Sequence, residues 1–356
     1  MNIKSLLLGS AAALAVVSGA QAADAIVAAE PEAVEYVRVC DAYGTGYFYI
    51  PGTETCLKID GYIRFETDFG RGIGNGSDYD AFTRAQLQFT AKSDTEYGVL
   101  TGLIALRTNA DSASSYTNAA GASQGGRNTF VDVAYLDIAG FRAGYFYSWW
   151  DDDLSGETDI LSSHSTNHNS IRYQYESGDF YAGVSVDELE GTTYTLNALA
   201  GSPTFGPRTN NIGIAGAVGG KAGAFSYQVT GGYDTDTEEG AVRGIAYFDV
   251  GPGTIGVAGA WASGANAYDD VSEWTAAVEY AVKVTDKWKI TPAAQYFWNY
   301  GLVSKGNFSN NDAWTAGVTV DYQIVDNFYA KATANYFKVD GGDDQWTGYF
   351  RLQRAF

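Results

Sequence analysis

From residue 57 onward the chain runs in a two-residue rhythm, and that rhythm limits what it can become. In 57–68, Leu57, Ile59, Gly61, Ile63 and Phe65 alternate with Lys58, Asp60, Tyr62, Arg64, Glu66 and Asp68. Successive side chains of a strand point to opposite faces, so this is a two-faced β-strand rather than a helix. The pattern returns at 274–282, where Trp274, Ala276, Val278, Tyr280 and Val282 share a face, and again at 314–323 and 328–336. Aromatics close both ends of the apolar face: Trp314 with Tyr322, Phe328 with Tyr336, Phe225 with Tyr233 and Trp288 with Tyr296 each stand eight residues apart. Eight residues at ~3.3 Å each, tilted by about 40°, climb about 20 Å, close to the ~25 Å apolar band between the aromatic girdles of an outer-membrane barrel. A soluble β-sandwich would also alternate, but it has no need of aromatics at both ends of a small-residue band.

The start of the chain carries an export signal. Lys4 precedes an apolar run from Leu6 to Val17, and Ala20-Gln21-Ala22 forms a small-x-small cleavage site, the pattern of a signal peptide over 1–22. Its apolar run is too short to span a bilayer. Further on, Val99 to Leu106 is apolar but short and broken by Thr101 and Gly102. An exported membrane chain without long apolar helices can cross only as a closed barrel. In an oxidising compartment Cys40 and Cys56 are expected to pair, with two buried free thiols as the alternative. Closing a loop of that size is worth about 3 kcal/mol in the chain-entropy model. The formal charge of −20, with pI near 4.3, makes the chain a poor nucleic-acid ligand. Two histidines and two cysteines leave little material for a metal centre, and no cofactor is expected.

Sixteen strands can be counted, from 57–69 to 346–356. Every second connection is short, as at Ser93–Glu96, Ala139–Gly140, Gly178–Asp179, Gly251–Pro252 and Gln323–Asp326, whereas most others, such as 109–126 and 188–210, are longer and polar. Short periplasmic turns and long outer loops are the mark of such barrels. The expected organisation is therefore a signal peptide (1–22), an N-terminal periplasmic segment with the cysteine pair (23–56) and an all-β transmembrane antiparallel barrel (57–356). Pro292, within the thirteenth strand, should weaken pairing locally.

The opening M-N-I-K-S-L-L-L-G-S-A-A-A-L, the block V-E-Y-V-R-V-C-D-A-Y-G-T-G-Y-F-Y-I-P-G-T-E-T-C-L-K-I-D-G-Y-I-R-F, the stretch F-V-D-V-A-Y-L-D-I-A-G-F-R-A-G-Y at 130–145 and the terminal Phe356 resemble the alphaproteobacterial (Rhizobiales-type) outer-membrane porins. The resemblance covers essentially the whole chain. It implies a trimeric, sixteen-stranded, water-filled channel in the outer membrane of a Gram-negative bacterium, in contact with lipid and lipopolysaccharide. It also implies insertion by the barrel assembly machinery, which reads a C-terminal strand ending in Phe; Phe350, Leu352 and Phe356 are the candidate signal, with Arg354 where an apolar residue is usual.

General porins narrow where the third long loop folds inward, here 149–168. It carries Asp151, Asp152, Asp153, Glu157 and Asp159 and no Lys or Arg. Face parity puts Lys58, Arg64, Arg84, Arg142, Arg172, Arg243 and Arg351 in the lumen. Acids on the loop opposite bases on the wall would set a field across an aqueous constriction, and the net negative charge points to cation preference. A solvated external loop would carry the same acids. His164 and His168, four apart, lack convincing further ligands for a metal. Lumen aromatics Tyr62, Tyr247, Phe297, Tyr329 and Tyr349 could instead form a slide in a sugar-specific channel. Loop acids Asp234, Asp236, Glu238, Glu239, Asp269 and Asp270 could bridge divalent cations to lipopolysaccharide, though plain solvated charge explains them as well. A plugged structural or adhesive barrel is a further alternative. An enzyme is not expected, since Ser163 beside His164 is the only Ser-His neighbourhood, and adjacent side chains on a strand point apart.

Overall fold

A computed structural model describes residues 37–71, 79–111, 128–161, 166–190, 211–304, 306–342 and 344–356. The expected signal peptide, Ser163 and His164 lie outside the described residues. Sixteen long strands form the barrel: β1 (Cys56–Arg71), β2 (Tyr79–Thr95), β3 (Gly98–Ala110), β4 (Thr129–Ile138), β5 (Phe141–Tyr147), β6 (Asn167–Ser177), β7 (Phe180–Glu188), β8 (Ile212–Ala222), β9 (Phe225–Asp234), β10 (Glu239–Val250), β11 (Gly253–Ala262), β12 (Ser272–Lys283), β13 (Trp288–Tyr300), β14 (Ala313–Val325), β15 (Phe328–Val339) and β16 (Asp344–Ala355). Each pairs antiparallel with the next, and β16 pairs with β1. Closure leaves no strand edge, so the backbone groups of the wall are satisfied without water. The last residue takes part, since Gly61 and Phe356 exchange N–H···O bonds of 3.2 and 3.0 Å.

The strands expected from the alternation are those found, with ends moved by a few residues. Some turns shift: β2 runs on to Thr95, leaving Glu96–Tyr97 as its connection to β3 rather than Ser93–Glu96, and β14 runs on to Val325, leaving Asp326–Asn327 rather than Gln323–Asp326. In the Ala139–Gly140 turn both residues have positive φ, 51° and 85°, the hand that matches the twist of a tight hairpin. Pro292 acts on one side only. The β12–β13 ladder skips Tyr280 and Ala281 opposite it, while the β13–β14 register runs on through Pro292 and Val318.

Parity sets the two faces. Ile59, Ile63, Phe65, Val278 and Phe350 are exposed on the outside, where lipid rather than water meets them. The aromatic ends join across neighbouring strands: Trp288 stacks on Tyr322 at 4.3 Å, and Trp314–Tyr336 and Tyr336–Trp346 lie at 5.2 and 5.1 Å. Tyr and Trp there place an apolar ring in lipid and a polar tip at the interface. No described helix is long and apolar enough to cross a membrane.

Before β1, the Cys40–Cys56 disulfide closes a loop in which Phe48–Tyr49 pairs with Leu57 and Cys56. Both cysteines are buried with Tyr47. Tyr43 Oη donates to Asp94 at 2.9 Å, and Lys92 Nζ stands 5.7 Å from the Tyr43 and Tyr47 rings. The loop is thus fastened to the turn end of β2.

Candidate functional site

The connection after β5 does not stay outside. Ser148 starts it, its Oγ accepting the Trp150 N–H at 3.0 Å at the head of a 3-10 turn over Trp149–Asp151. From there the chain crosses the interior of the barrel, and lumen side chains from β9 to β15 grip it. Gln228 Nε2 on β9 donates to Asp152 at 2.7 Å. Arg243 on β10 donates to the carbonyls of Trp149 (2.7 Å), Trp150 (3.0 Å) and Leu161 (3.3 Å), and Tyr247 Oη to that of Asp153 (2.9 Å). Glu279 on β12 accepts from Ser155 N, Ser155 Oγ and Gly156 N at 3.0, 2.6 and 2.7 Å. Gln295 on β13 both accepts from and donates to Ile160, at 2.6 and 2.7 Å. At the far end Lys331 Nζ meets Glu157 at 2.6 Å, with Arg351 at 4.0 Å.

The wall under this loop is cut to receive it. Lumen-facing positions of β8, β10, β11 and β12 are small: Ala215, Ala217, Ala241, Ala258, Ala260, Ala262 and Ala277 are all buried. Trp149, Trp150, Leu189 and Tyr268 fill the space they leave, and Leu154 and Leu161 pack on Ile245. A Cβ on Gly213 would come within 2.1 Å of Tyr268 Oη and 2.6 Å of Leu189, and one on Gly232 within 2.5 Å of the Tyr268 ring. Tyr268 belongs to the connection after β11, so a second outer loop leans in over the first. Its hydroxyl donates to buried Asp187 at 2.8 Å.

The opposite wall is basic. Arg64 and Arg84 are direct cross-strand partners on β1 and β2. Arg64 Nε donates to Gln353 and Arg84 Nε to Asn109, each at 2.9 Å. Arg351 pairs with Glu66. Beside them Arg107 on β3 pairs with Asp132 at 2.7 Å. The strands gripping Asp152 and Asp153, β9 and β10, stand half-way round the barrel from β1 and β2. Asp151, Asp152 and Asp153 are exposed, on a stretch held by strands opposite those that carry Arg64 and Arg84. Lys58 pairs with Asp60 at 3.1 Å, and Arg142 with Asp137 at 2.9 Å.

Two of the wall arginines depart from the expected role. Arg243 has lumen parity but is 1% exposed; it holds the loop and does not face water. Arg172 is 7% exposed, lying against Trp149. Of the lumen aromatics, Phe297 is buried among Val271, Tyr300 and Val339, and Tyr62 and Tyr349 lie beside Arg64 and Arg351 at 5.0 and 4.3 Å. The described His168 is buried against Tyr268, and no group of three metal-ligating side chains occurs among the described residues. Asp234, Asp269 and Asp270 are buried rather than solvated; Asp234 binds Asn211 and the N–H groups of Asp236, Thr237 and Ala267. Asp236 and Glu238 are exposed, and Glu239 accepts from Ser263. Phe350 and Phe356 are exposed on the outer wall, where strand parity also places Leu352. Sequence reasoning passed over Arg107, Lys289 and Lys331. Parity could have found the two lysines, since Trp288 and Phe328 fix the outer face of their strands. Arg107 was hidden by an apolar run without alternation.

The loop acids titrate unlike free carboxyls. Desolvation within the barrel, then the charges of Asp159, Glu157 and Asp151, push Asp153 up to about 8; the lumen water it faces screens part of that effect. Asp159 is pushed up to about 6, by desolvation first and the Glu279 and Glu157 charges after it. For Glu157, burial acts upward, but Lys331 and Arg351 outweigh it and hold the carboxyl below its usual range.

A closed sixteen-strand barrel with aromatic ends outside, a charged interior and an inward loop defines an outer-membrane channel of the porin class. The comparisons agree. The family described as "Porin subfamily" matches residues 24–350, and the chain belongs to it. It is 56% identical over 98% of its length, and 93% of the relative's, to "Outer membrane protein IIIA" of Rhizobium leguminosarum bv. viciae. It is 34% identical to "Porin Omp2b" of Brucella canis over 100% of both chains. Among solved structures it is similar in fold to OmpT of Vibrio cholerae in its trimer form, with TM-score 0.61 and 13% identity over 85% of this chain and 100% of that one. The protein is a multi-pass β-barrel of the outer membrane.

Proposed function

We propose that this porin is a passive, water-filled channel for small hydrophilic solutes and ions, and that it prefers cations. The placement of exposed Asp151, Asp152 and Asp153 on an inward loop opposite Arg64 and Arg84 carries this reading. Such a field favours polar solutes that can align with it, and a net charge of −20 concentrates cations at the mouth. Lys58 and Arg142 are paired wall charges, Glu157 is a latch held by Lys331 and Arg351, and Asp159 closes the loop on itself through the Leu154 N–H. The chain assembles as a homotrimer, a reading that the OmpT trimer supports by analogy of fold. The 1–22 segment directs export, and Phe350, Leu352 and Phe356 present the closing strand to the assembly machinery. Lipopolysaccharide contacts fall to exposed acids such as Asp236 and Glu238. The separation of the lumen aromatics, with Phe297 buried, favours this reading over a sugar-specific slide.

Replacing Asp151, Asp152 and Asp153 together with Asn tests the ion preference. The reversal potential under a KCl gradient should move toward zero while conductance persists; an unmoved potential rejects these acids as its source. The preference should also depend on pH. A carboxyl whose pKa is raised is charged above that pKa and neutral below it. Cation preference should thus fall as pH drops from about 8 (Asp153) through about 6 (Asp159), and not wait for the range near 4 where a free Asp titrates. A reversal potential constant from pH 8 to 5 contradicts this.

A further inference from the structure

We infer that the lumen wall beneath the base of the inward loop holds a binding site for a small organic carboxylate bearing hydroxyl or amino groups, centred on Arg172. A cavity of about 660 Å³ opens there, lined in part by Arg142, Trp149, Asp152, Arg172, Gln174 and Tyr181. It lies on β4–β7 and β9, apart from the Arg64–Arg84 wall.

Arg142 and Arg172 are direct cross-strand partners, and like charges set opposite one another repel. Their surroundings differ. Arg142 Nε donates to Asp137 at 2.9 Å and so has a counter-ion. Among the described residues Arg172 forms no ion pair with a carboxylate. Its side chain is 7% exposed, Nη2 donates to the Tyr147 carbonyl at 3.1 Å, and buried Nε has no partner. A guanidinium has five donors and cannot shed its charge, and a buried charge without a counter-ion is costly. Arg243, more deeply buried and also with an unpartnered Nε, answers this with three carbonyls; Arg172 has one.

The group is also held ready. Its carbon lies 3.9 Å from the Trp149 ring centroid and 4.7 Å from that of Phe146. Trp149 is itself fixed by its Nε1–H to Gln174 Oε1 at 3.2 Å. With Nε buried and one Nη2 hydrogen on the Tyr147 carbonyl, the Nη1–Nη2 end of the guanidinium is left for a ligand, and that fork matches the two oxygens of a carboxylate. Across the cavity, Gln228 Nε2 donates to both Asp152 and Tyr181 Oη, at 2.7 Å each, which leaves oxygen lone pairs for a ligand's hydroxyl or ammonium donors. Asp137, Asp152 and Glu176 share the lining. Three acids around two arginines disfavour a multiply charged anion such as phosphate and suit a monocarboxylate with donors at its far end.

Calorimetry of the native, detergent-solubilised protein with sodium gluconate tests the site, with inorganic phosphate and glycerol as comparators. It reads binding without conduction, so it stands apart from the channel reading above. Gluconate should bind saturably and more tightly than phosphate, and glycerol should not bind. Arg172→Gln should weaken gluconate by about tenfold or more, the worth of a charge-assisted bond. Arg172→Lys, which keeps the charge but loses the fork, should also lose most of it. Should these variants not fold, gluconate should still produce a saturable change in the tryptophan fluorescence of the native protein, absent with glycerol. Lack of saturation by gluconate, tighter binding of phosphate, or unchanged affinity in Arg172→Gln overturns the site.

Discussion

Replacing Glu279 with Ala should release the middle of the inward loop and give a larger, noisier single-channel conductance with weaker cation preference. The carboxylate is 2% exposed and accepts three bonds from Ser155 and Gly156. Losing one charge-assisted bond shifts the docked-to-free balance by roughly tenfold or more, and three are lost together. The barrel wall should persist, because its ladders pass through backbone groups that this change leaves alone. Arg243→Ala attacks the other end, removing three bonds to loop carbonyls, and should act in the same direction. Glu279→Gln should fall between, since its amide nitrogen would point a donor at a donor. Native conductance in both alanine variants would mean that these grips do not hold the loop.

The second large effect lies at the turn end of the barrel. Replacing Cys40 and Cys56 with Ser should loosen the segment they close by about 3 kcal/mol in the chain-entropy model, roughly a hundredfold in local opening. The contacts left to hold it include the short Phe48–Tyr49 pairing, the Tyr43–Asp94 bond and the Lys92 contacts with Tyr43 and Tyr47. The barrel does not depend on this loop, because β16 closes against β1. Limited proteolysis should therefore cut the double variant, or the reduced native protein, within 40–55 and leave 57–356 intact. Equal resistance with and without the disulfide would contradict this.

Much of the fold was legible because lipid and water sort side chains with period two. Trp288, Tyr322, Trp314 and Tyr336 mark where the outer face begins and ends, and no other fold needs them there. The inward course of the loop was legible only by resemblance, and its docking side was not read at all. A sequence trace was present: lumen positions are charged on β1 and β2 (Lys58, Arg64, Arg84) but small on β8 and β11 (Gly213, Ala215, Ala217; Gly256, Ala258, Ala260, Ala262). A small lumen residue means that something else fills the space. Arg243 shows the limit of parity, which says which face a side chain takes but not what covers that face. Burial of Asp234 and Asp269 was hidden for the same reason: a folded loop satisfies an acid with N–H groups that carry no side-chain signature.

The most direct measurement is single-channel conductance of the purified native protein in a planar bilayer, with its reversal potential under a KCl gradient. An aqueous lumen with loop acids facing wall arginines predicts stepwise openings, grouped in threes for a trimer, and a cation-selective reversal potential at neutral pH that weakens on acidification. A folded, inserted protein that passes no current, or one that selects anions, would contradict it.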